Sequence, residues 1–279
     1  MAEHDALTPW SEVDESDPDG FRSYLDTVSG VERIEAVKRQ SYRLLDPPAD
    51  GRVLDAGCGT GDDARTLAEQ IDPAGTVVGI DASRAMVETA RERTREAGER
   101  GIDEAADTVF SVGDATGLPF RDDAFDGARS DRVLQHLPAP QEAFSELVRV
   151  SRPGGRVVVT DSDWGTLTLA AGEADIDDRL VSAEWSCARR GEVGRRLRSF
   201  ADDAGLRDVT VAPTTLTFTD FETADGVLGF TGRIERLQAD GEVSEATAAS
   251  WRSTLQDPDG SFFSSLTLFT VAGTVPAEN

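Results

Sequence analysis

The sequence predicts an α/β fold: a mostly parallel seven-stranded sheet with helices on both faces. Three observations predict it. From Gly51 onward, short apolar runs alternate with amphipathic stretches, the sign of parallel strands joined by crossover helices. The run Val53-Leu54-Asp55-Ala56 leads into glycines at 57, 59 and 61, which is a strand entering a tight turn. A break at Pro153-Gly154-Gly155 opens straight into a β-branched run.

Taken in order, residues 1–20 are polar and Asp-rich and read as an acidic flexible arm. A helical cap over 21–46 follows, because Val31, Ile34, Val37, Tyr42 and Leu45 recur near helical spacing and Pro47 and Pro48 end the helix. In the core over 47–164 the expected strands are 52–56, 76–81, 108–113, 125–130 and 156–161. The expected helices are 62–71, 83–97, 131–137 and 140–151. Past Trp164 no strand-like run is expected until residue 208, so 165–190 is expected to be an inserted helical segment and 192–204 a helix, together a second cap over 165–205. Two last strands, 208–219 and 262–273, enclose helices over 220–256. No internal repeat or linker is visible, so 21–279 is read as one domain.

Composition narrows the function classes. Asp and Glu number 53 against 28 Lys and Arg, a formal net charge of −25, and such a field repels free nucleic acid. Lys38 is the sole lysine. An acidic, lysine-poor surface fits a halophilic protein in which salt screens self-repulsion; an Arg-for-Lys codon bias in an ordinary acidic enzyme is the alternative. Cys58 and Cys187 have no metal-type or disulfide-framework spacing. No run approaches the roughly 18 apolar residues of a membrane span, and the N-terminus has no apolar leader, so a cytoplasmic protein is expected. Oligomeric state is not legible.

The chemistry-bearing signal is Leu54-Asp55-Ala56-Gly57-Cys58-Gly59-Thr60-Gly61. Glycines are required where a ligand lies against backbone, because a Cβ would collide with it. A dinucleotide fingerprint needs a further glycine at 62, where Asp62 stands, and a carboxylate at a helix mouth opposes a pyrophosphate. The next strand ends in Asp81, which can accept two ribose hydroxyls of either an NAD or a methyl-donor nucleoside. The third ends in Gly113-Asp114-Ala115, where Asp114 can accept a bond from an adenine amine.

Together with Gly79-Ile80-Asp81-Ala82-Ser83, Leu118-Pro119-Phe120, Phe125-Asp126, Val133-Leu134-Gln135-His136-Leu137 and Arg149-Val150-Ser151-Arg152-Pro153-Gly154-Gly155, these residues resemble the Rossmann-like S-adenosylmethionine-dependent methyltransferases, in particular the small-molecule branch related to quinone-biosynthesis enzymes. The likeness runs from about Gly51 to Asp161. It implies S-adenosyl-L-methionine as cofactor, with Asp55 and the backbone of Gly57, Cys58 and Gly59 at the methionine end. Asp81 and Ala82 would hold the ribose, Asp114 and Ala115 the adenine, and Ser130 would lie near the sulfonium. The acceptor would be a small molecule methylated on O, N or C.

Methyl transfer from a sulfonium is an in-line displacement that needs no metal, so positioning carries most of the work. A hydroxyl acceptor gains from a general base, and His136, after the fourth strand, is the candidate, with pocket wall or helix packing as its other readings. Arg132 is a candidate grip for an anionic acceptor or, equally, a surface arginine paired with a carboxylate. Trp164 is a candidate cover for a flat substrate or simple cap packing, and Asp161 and Asp163 are candidate acceptors. Lys38 and Arg39 are candidates for the methionine carboxylate, and the segment with Glu184 and Trp185 a candidate cover. The rivals are an idle cofactor-binding module and, disfavoured by Asp62 and the lack of a Tyr-x-x-x-Lys pair, an NAD-dependent oxidoreductase.

Overall fold

A computed structural model describes residues 10–99, 106–171, 174–182, 191–257 and 260–277. The sheet has seven strands in the order β3-β2-β1-β4-β5-β7-β6. They are β1 (Arg52–Ala56), β2 (Thr76–Asp81), β3 (Asp107–Val112), β4 (Phe125–Asp131), β5 (Ser151–Ala170), β6 (Arg207–Phe218) and β7 (Phe263–Thr274). Pairing is parallel from β3 through β5 and antiparallel for β5 with β7 and β7 with β6.

The helices of the parallel half are α3 (Asp62–Ala68), α4 (Arg84–Glu99) and α5 (Pro140–Val150), with α7 (Val193–Asp203) beside them on the β5 side. Their apolar faces cover the sheet: Leu147, Val150, Leu197 and Phe200 lie on one side, and Ala64, Leu67, Val87 and Ala90 on the other. Of the N-terminal helices, α2 (Glu32–Leu45) lies against β4, β5 and β7, and α1 (Pro18–Ser29) packs against α2. The distal helices are α6 (Ala174–Ser182), α8 (Phe221–Leu228), α9 (Phe230–Ala239) and α10 (Glu245–Leu255).

Three expectations are corrected. The arm is not free over its whole length: Trp10–Glu15 form a 3-10 turn, and the Asp14 carboxylate accepts from the backbone N–H groups of Arg84 (2.8 Å) and Ala85 (3.0 Å) and from the Ser83 hydroxyl. Asp14 thus caps α4 from outside its own segment, where the helix leaves N–H groups unpaired. The segment 131–137 is no α-helix but a single 3-10 turn, Leu134–His136.

The third correction concerns 165–171, which is strand rather than helix through Ala170. β5 continues past Trp164 with Leu167 and Leu169 buried while Thr166 and Thr168 face outward. A bulge between Asp163 and Thr168 absorbs the change of direction before pairing with β7 resumes at Thr168↔Ser265. The fold also has a distal core: Leu167, Leu169, Leu216, Phe218, Leu266 and Leu268 from the strand extensions pack with Ile34, Val37, Ile176, Leu228, Phe230 and Trp251 from the helices.

Candidate active site

A cavity of 980 Å³ opens between the ends of the parallel strands and the distal core. The turn after β1 forms one end. Gly57, Gly59 and Gly61 all take positive φ (80°, 51° and 77°), and the N–H groups of Gly57 and Cys58 both donate to the Ile80 carbonyl, at 2.7 and 3.0 Å. A Cβ on Gly57 would run into the Val133 side chain, and one on Gly61 would meet Phe110 at 2.7 Å. Positive φ and close protein packing therefore require glycine in this turn, and Gly57 and Gly59 present it to the cavity.

Asp81 lines the cavity, and its two oxygens accept from Gly59 N–H (2.8 Å) and Ser83 N–H (2.9 Å). Each carboxylate oxygen has a second lone pair, so both retain capacity for ribose hydroxyls. Burial pushes the Asp81 carboxyl up, outweighing those two backbone bonds. Ala82, Asp114 and Ala115 complete this end, with Asp114 accepting from Thr116 N–H at 2.8 Å.

Asp55, Cys58 and Ser130 lie under the cavity wall rather than on it. Ser130 donates to the Ala56 carbonyl at 2.9 Å, which ties β4 to β1. Burial, then the negative charges of Asp81 and Asp55, raises the Cys58 thiol well above its ordinary range, which disfavours the thiolate. Asp55 is buried and accepts from Arg129 at 2.9 Å through one oxygen; the other has no hydrogen-bond partner. Its carboxyl is raised by burial against the pull of Arg129.

Arg129 is the unforeseen residue. Fully buried on β4 and in register with Asp55, it pairs with Asp55, Asp63 and Asp131 and lies 5.1 Å from the Tyr42 ring centroid. Asp63, at the first turn of α3, also takes Lys38 Nζ at 2.9 Å and the Tyr42 hydroxyl at 2.7 Å. Burial opposes the charged form of Asp63, yet Arg129 and Lys38 prevail and hold its carboxyl far below the usual range. Lys38 is thus committed to this network under the glycine turn, and Arg39 pairs with Glu35 on the outside.

His136, Arg132 and Trp164 all line the cavity. The His136 ring sits 5.5 Å from Trp10, an aromatic neighbour that the sequence reading left in the arm. Arg132 has φ 56° and pairs through Nε with Asp131 at 3.2 Å. Trp164 donates its indole N–H to the Gln135 amide oxygen at 2.7 Å, so its ring is held in place. Asp161 and Asp163 are buried away from the cavity. Asp161 accepts from the N–H groups of Ser162 and Gln135, and burial pushes its carboxyl up to about 8; Asp163 pairs with Arg195. His4, Glu184, Trp185 and Cys187 lie outside the described residues. Among the described residues no three or more His, Cys, Asp or Glu side chains are grouped to hold a metal ion, and no helix is long and apolar enough to cross a membrane.

The remaining walls come from elements for which sequence reasoning assigned no site residue: Tyr24 and Leu25 of α1, the stretch Asp225–Gly232, and Leu216, Leu266 and Leu268.

Comparison with known proteins identifies the family. A family model described as a methyltransferase domain matches residues 48–195, just over half of the chain. An uncharacterized 37.1 kDa protein in transposon TN4556 of Streptomyces fradiae is 37% identical over 255 residues, covering 89% of this chain and 70% of that protein. A demethylmenaquinone methyltransferase of Anoxybacillus flavithermus is 30% identical over 143 residues, 51% of this chain and 58% of the relative, so the chain spans little more than half of that enzyme's length. The YcgJ protein of Bacillus subtilis has the same fold, with a TM-score of 0.61, 19% identity and coverage of 88% of this chain and all of that one. The chain belongs to the methyltransferase domain family and is a Rossmann-like, S-adenosylmethionine-dependent methyltransferase.

Proposed function

We propose that the protein methylates a small-molecule acceptor held on the distal side of the cavity, without a metal ion. The observation that carries this reading is the single cavity in which Gly57, Gly59, Asp81 and Asp114 line one end, the distal core lines the other, and His136 is part of the wall. Asp81 and Ala82 take the ribose, and Asp114 with the Ala115 amide takes the adenine. The backbone from Gly57 to Gly59 takes the methionine end, and Asp55, buried beneath it and paired with Arg129, supports the turn from below. Ser130 supports this turn from β4. The bound cofactor supplies a methyl group already activated by a positive sulfonium.

What the protein adds is placement. Trp164, fixed by Gln135, holds a flat acceptor in line, and His136 takes the proton of an acceptor hydroxyl. Arg132, paired with Asp131, shapes the wall.

Calorimetry with S-adenosylhomocysteine and with NAD tests the cofactor half: tight binding of the first and weak or no binding of the second is expected, and the reverse result overturns it. A screen of acceptors with labelled methyl donor then separates an enzyme from an idle binding module. The same charge of −25 leads us to propose a cytoplasmic, salt-adapted setting without nucleic-acid substrates. Melting temperature should then climb from low to multimolar KCl, and a flat or falling curve removes the halophilic reading.

A further inference from the structure

The distal half of the cavity has a chemistry of its own. Its walls are Ile34 from α2, Leu216 from β6, Leu266 and Leu268 from β7, and Val227 and Leu228 from α8, all buried. The register explains why they form one surface. Leu216 stands opposite Leu266, and Leu268 follows two residues on, so all three share one face of the antiparallel ribbon. The opposite face is polar, with Thr215 and Thr267 joined through their hydroxyls at 3.0 Å.

On the cavity wall Arg132 is already paired, and the carboxylates keep their charge. Asp225 receives the Thr231 N–H and hydroxyl at 2.7 and 2.6 Å, one on each oxygen, and remains negative. Asp131 is shared between Arg129 and Arg132, and Arg132 is turned to Asp131. Glu235 is exposed at the rim, its side chain 53% accessible and 3.9 Å from Arg252. Asp81 and Asp114 belong to the opposite end. An anionic acceptor entering the distal half would lose its water and meet carboxylates with Arg132 already paired, a large penalty, whereas hydrocarbon gains with each buried carbon. At 980 Å³ the cavity stands at the top of the range of about 300–1,000 Å³ for a single small-molecule site, which leaves room for an acceptor beside a nucleoside.

We propose that this half of the cavity receives a hydrocarbon-bodied acceptor without an anionic group, whose hydroxyl, the group to be methylated, faces His136. The inference rests on the methyl-transfer reading above and adds the substrate class. In the step, the acceptor oxygen forms a bond to the methyl carbon while the sulfur–carbon bond breaks and its electron pair returns to sulfur. The hydroxyl proton passes to the His136 imidazole.

Three phenols of different charge test it: 4-octylphenol, the cation tyramine and the anion 4-hydroxyphenylacetate, each titrated into the full chain with and without S-adenosylhomocysteine. 4-Octylphenol should bind at least about 10-fold more tightly than either charged phenol, in line with the burial of its chain. Val227→Phe, which fills the chamber, and Leu268→Thr, which makes its floor polar, should each weaken 4-octylphenol by about 10-fold while S-adenosylhomocysteine affinity stays as in the parent; that unchanged affinity also reports folding. Equal or tighter binding of a charged phenol, or unchanged 4-octylphenol affinity in both variants, overturns the proposal. Loss of the cofactor reading has a separate signature: S-adenosylhomocysteine fails to bind, while the order of the three phenols without it still decides the nature of the chamber.

Discussion

The parallel and antiparallel halves of the sheet solve different problems. Strands β1 to β4 are 5 to 7 residues long and end together, so that the turns after them bring Gly57, Asp81 and Asp131 to one edge, while β5, β6 and β7 are 20, 12 and 12 residues long and run on beyond it. The first half places polar groups and backbone with short, stiff elements and sets a buried charge network beneath them. The second half extends its strands and covers them with helices, enclosing space lined by Leu and Val. Polar recognition of a nucleoside needs a few donors and acceptors at fixed strand ends, whereas an apolar chamber needs area, and area requires length.

The sharpest way to break this contrast is through Arg129. Arg129→Ala leaves Asp55, Asp63 and Asp131 buried without their shared cation, and unfolding in urea at pH 7 should show a loss of about 3–5 kcal/mol. A loss below about 1 kcal/mol would mean that the parallel half does not depend on its charge network. Next in size is His136→Ala, which should slow turnover by about 100-fold once an acceptor is in hand, with S-adenosylhomocysteine affinity held. If turnover falls only a few-fold, His136 is wall.

Asp81→Ala should do the converse, weakening S-adenosylhomocysteine by about 10- to 100-fold in calorimetry. Parent-like affinity would remove the ribose site and the alignment of the other cofactor residues with it. The smallest effect is a slope. Asp161 has a folded pKa of about 8 against roughly 3.9 when unfolded, so between those values the folded state keeps a proton that the unfolded state has released. Its contribution to stability is therefore greatest at acid pH and is lost as pH rises toward 8. Asp161→Asn should remove that term and gain on the parent from pH 5 to pH 8 in paired urea titrations; parallel pH profiles would show the carboxyl to be ionised in the folded protein throughout.

Legibility followed the same division. The parallel half was open to sequence reading because its signals are local: a strand, three spaced glycines, and carboxylates at the next two strand ends. Arg129 escaped because nothing local marks an arginine as buried. An arginine in mid-strand was the available clue, and its partner Asp55 becomes visible only when the β1–β4 register is known.

The continuation of β5 was written in Thr166-Leu167-Thr168-Leu169, whose alternation is that of a half-buried strand, but Trp164-Gly165 and the bulge that follows masked it. Asp14 and Trp10 were lost for another reason. An acidic, proline-containing segment has no periodicity of its own, and its order comes from capping α4 and from packing beside His136. The chamber walls were not legible because Leu216, Leu266 and Val227 are ordinary core residues until three separate elements converge.

One consequence follows from the length of β5. Its residues 156–160 pair with β4 in the nucleoside-binding half, and the same strand pairs with β7 from Arg156 to Ala170. The distal helices are therefore not an excisable module, since removing them would strip cover from a strand that the other half also needs. Heat should unfold the two halves in one cooperative transition rather than two. Acceptor preference could then be re-engineered within α8 and α9, which line the chamber without belonging to the sheet, but a graft that cuts β5 at Trp164 would sever the element both halves share.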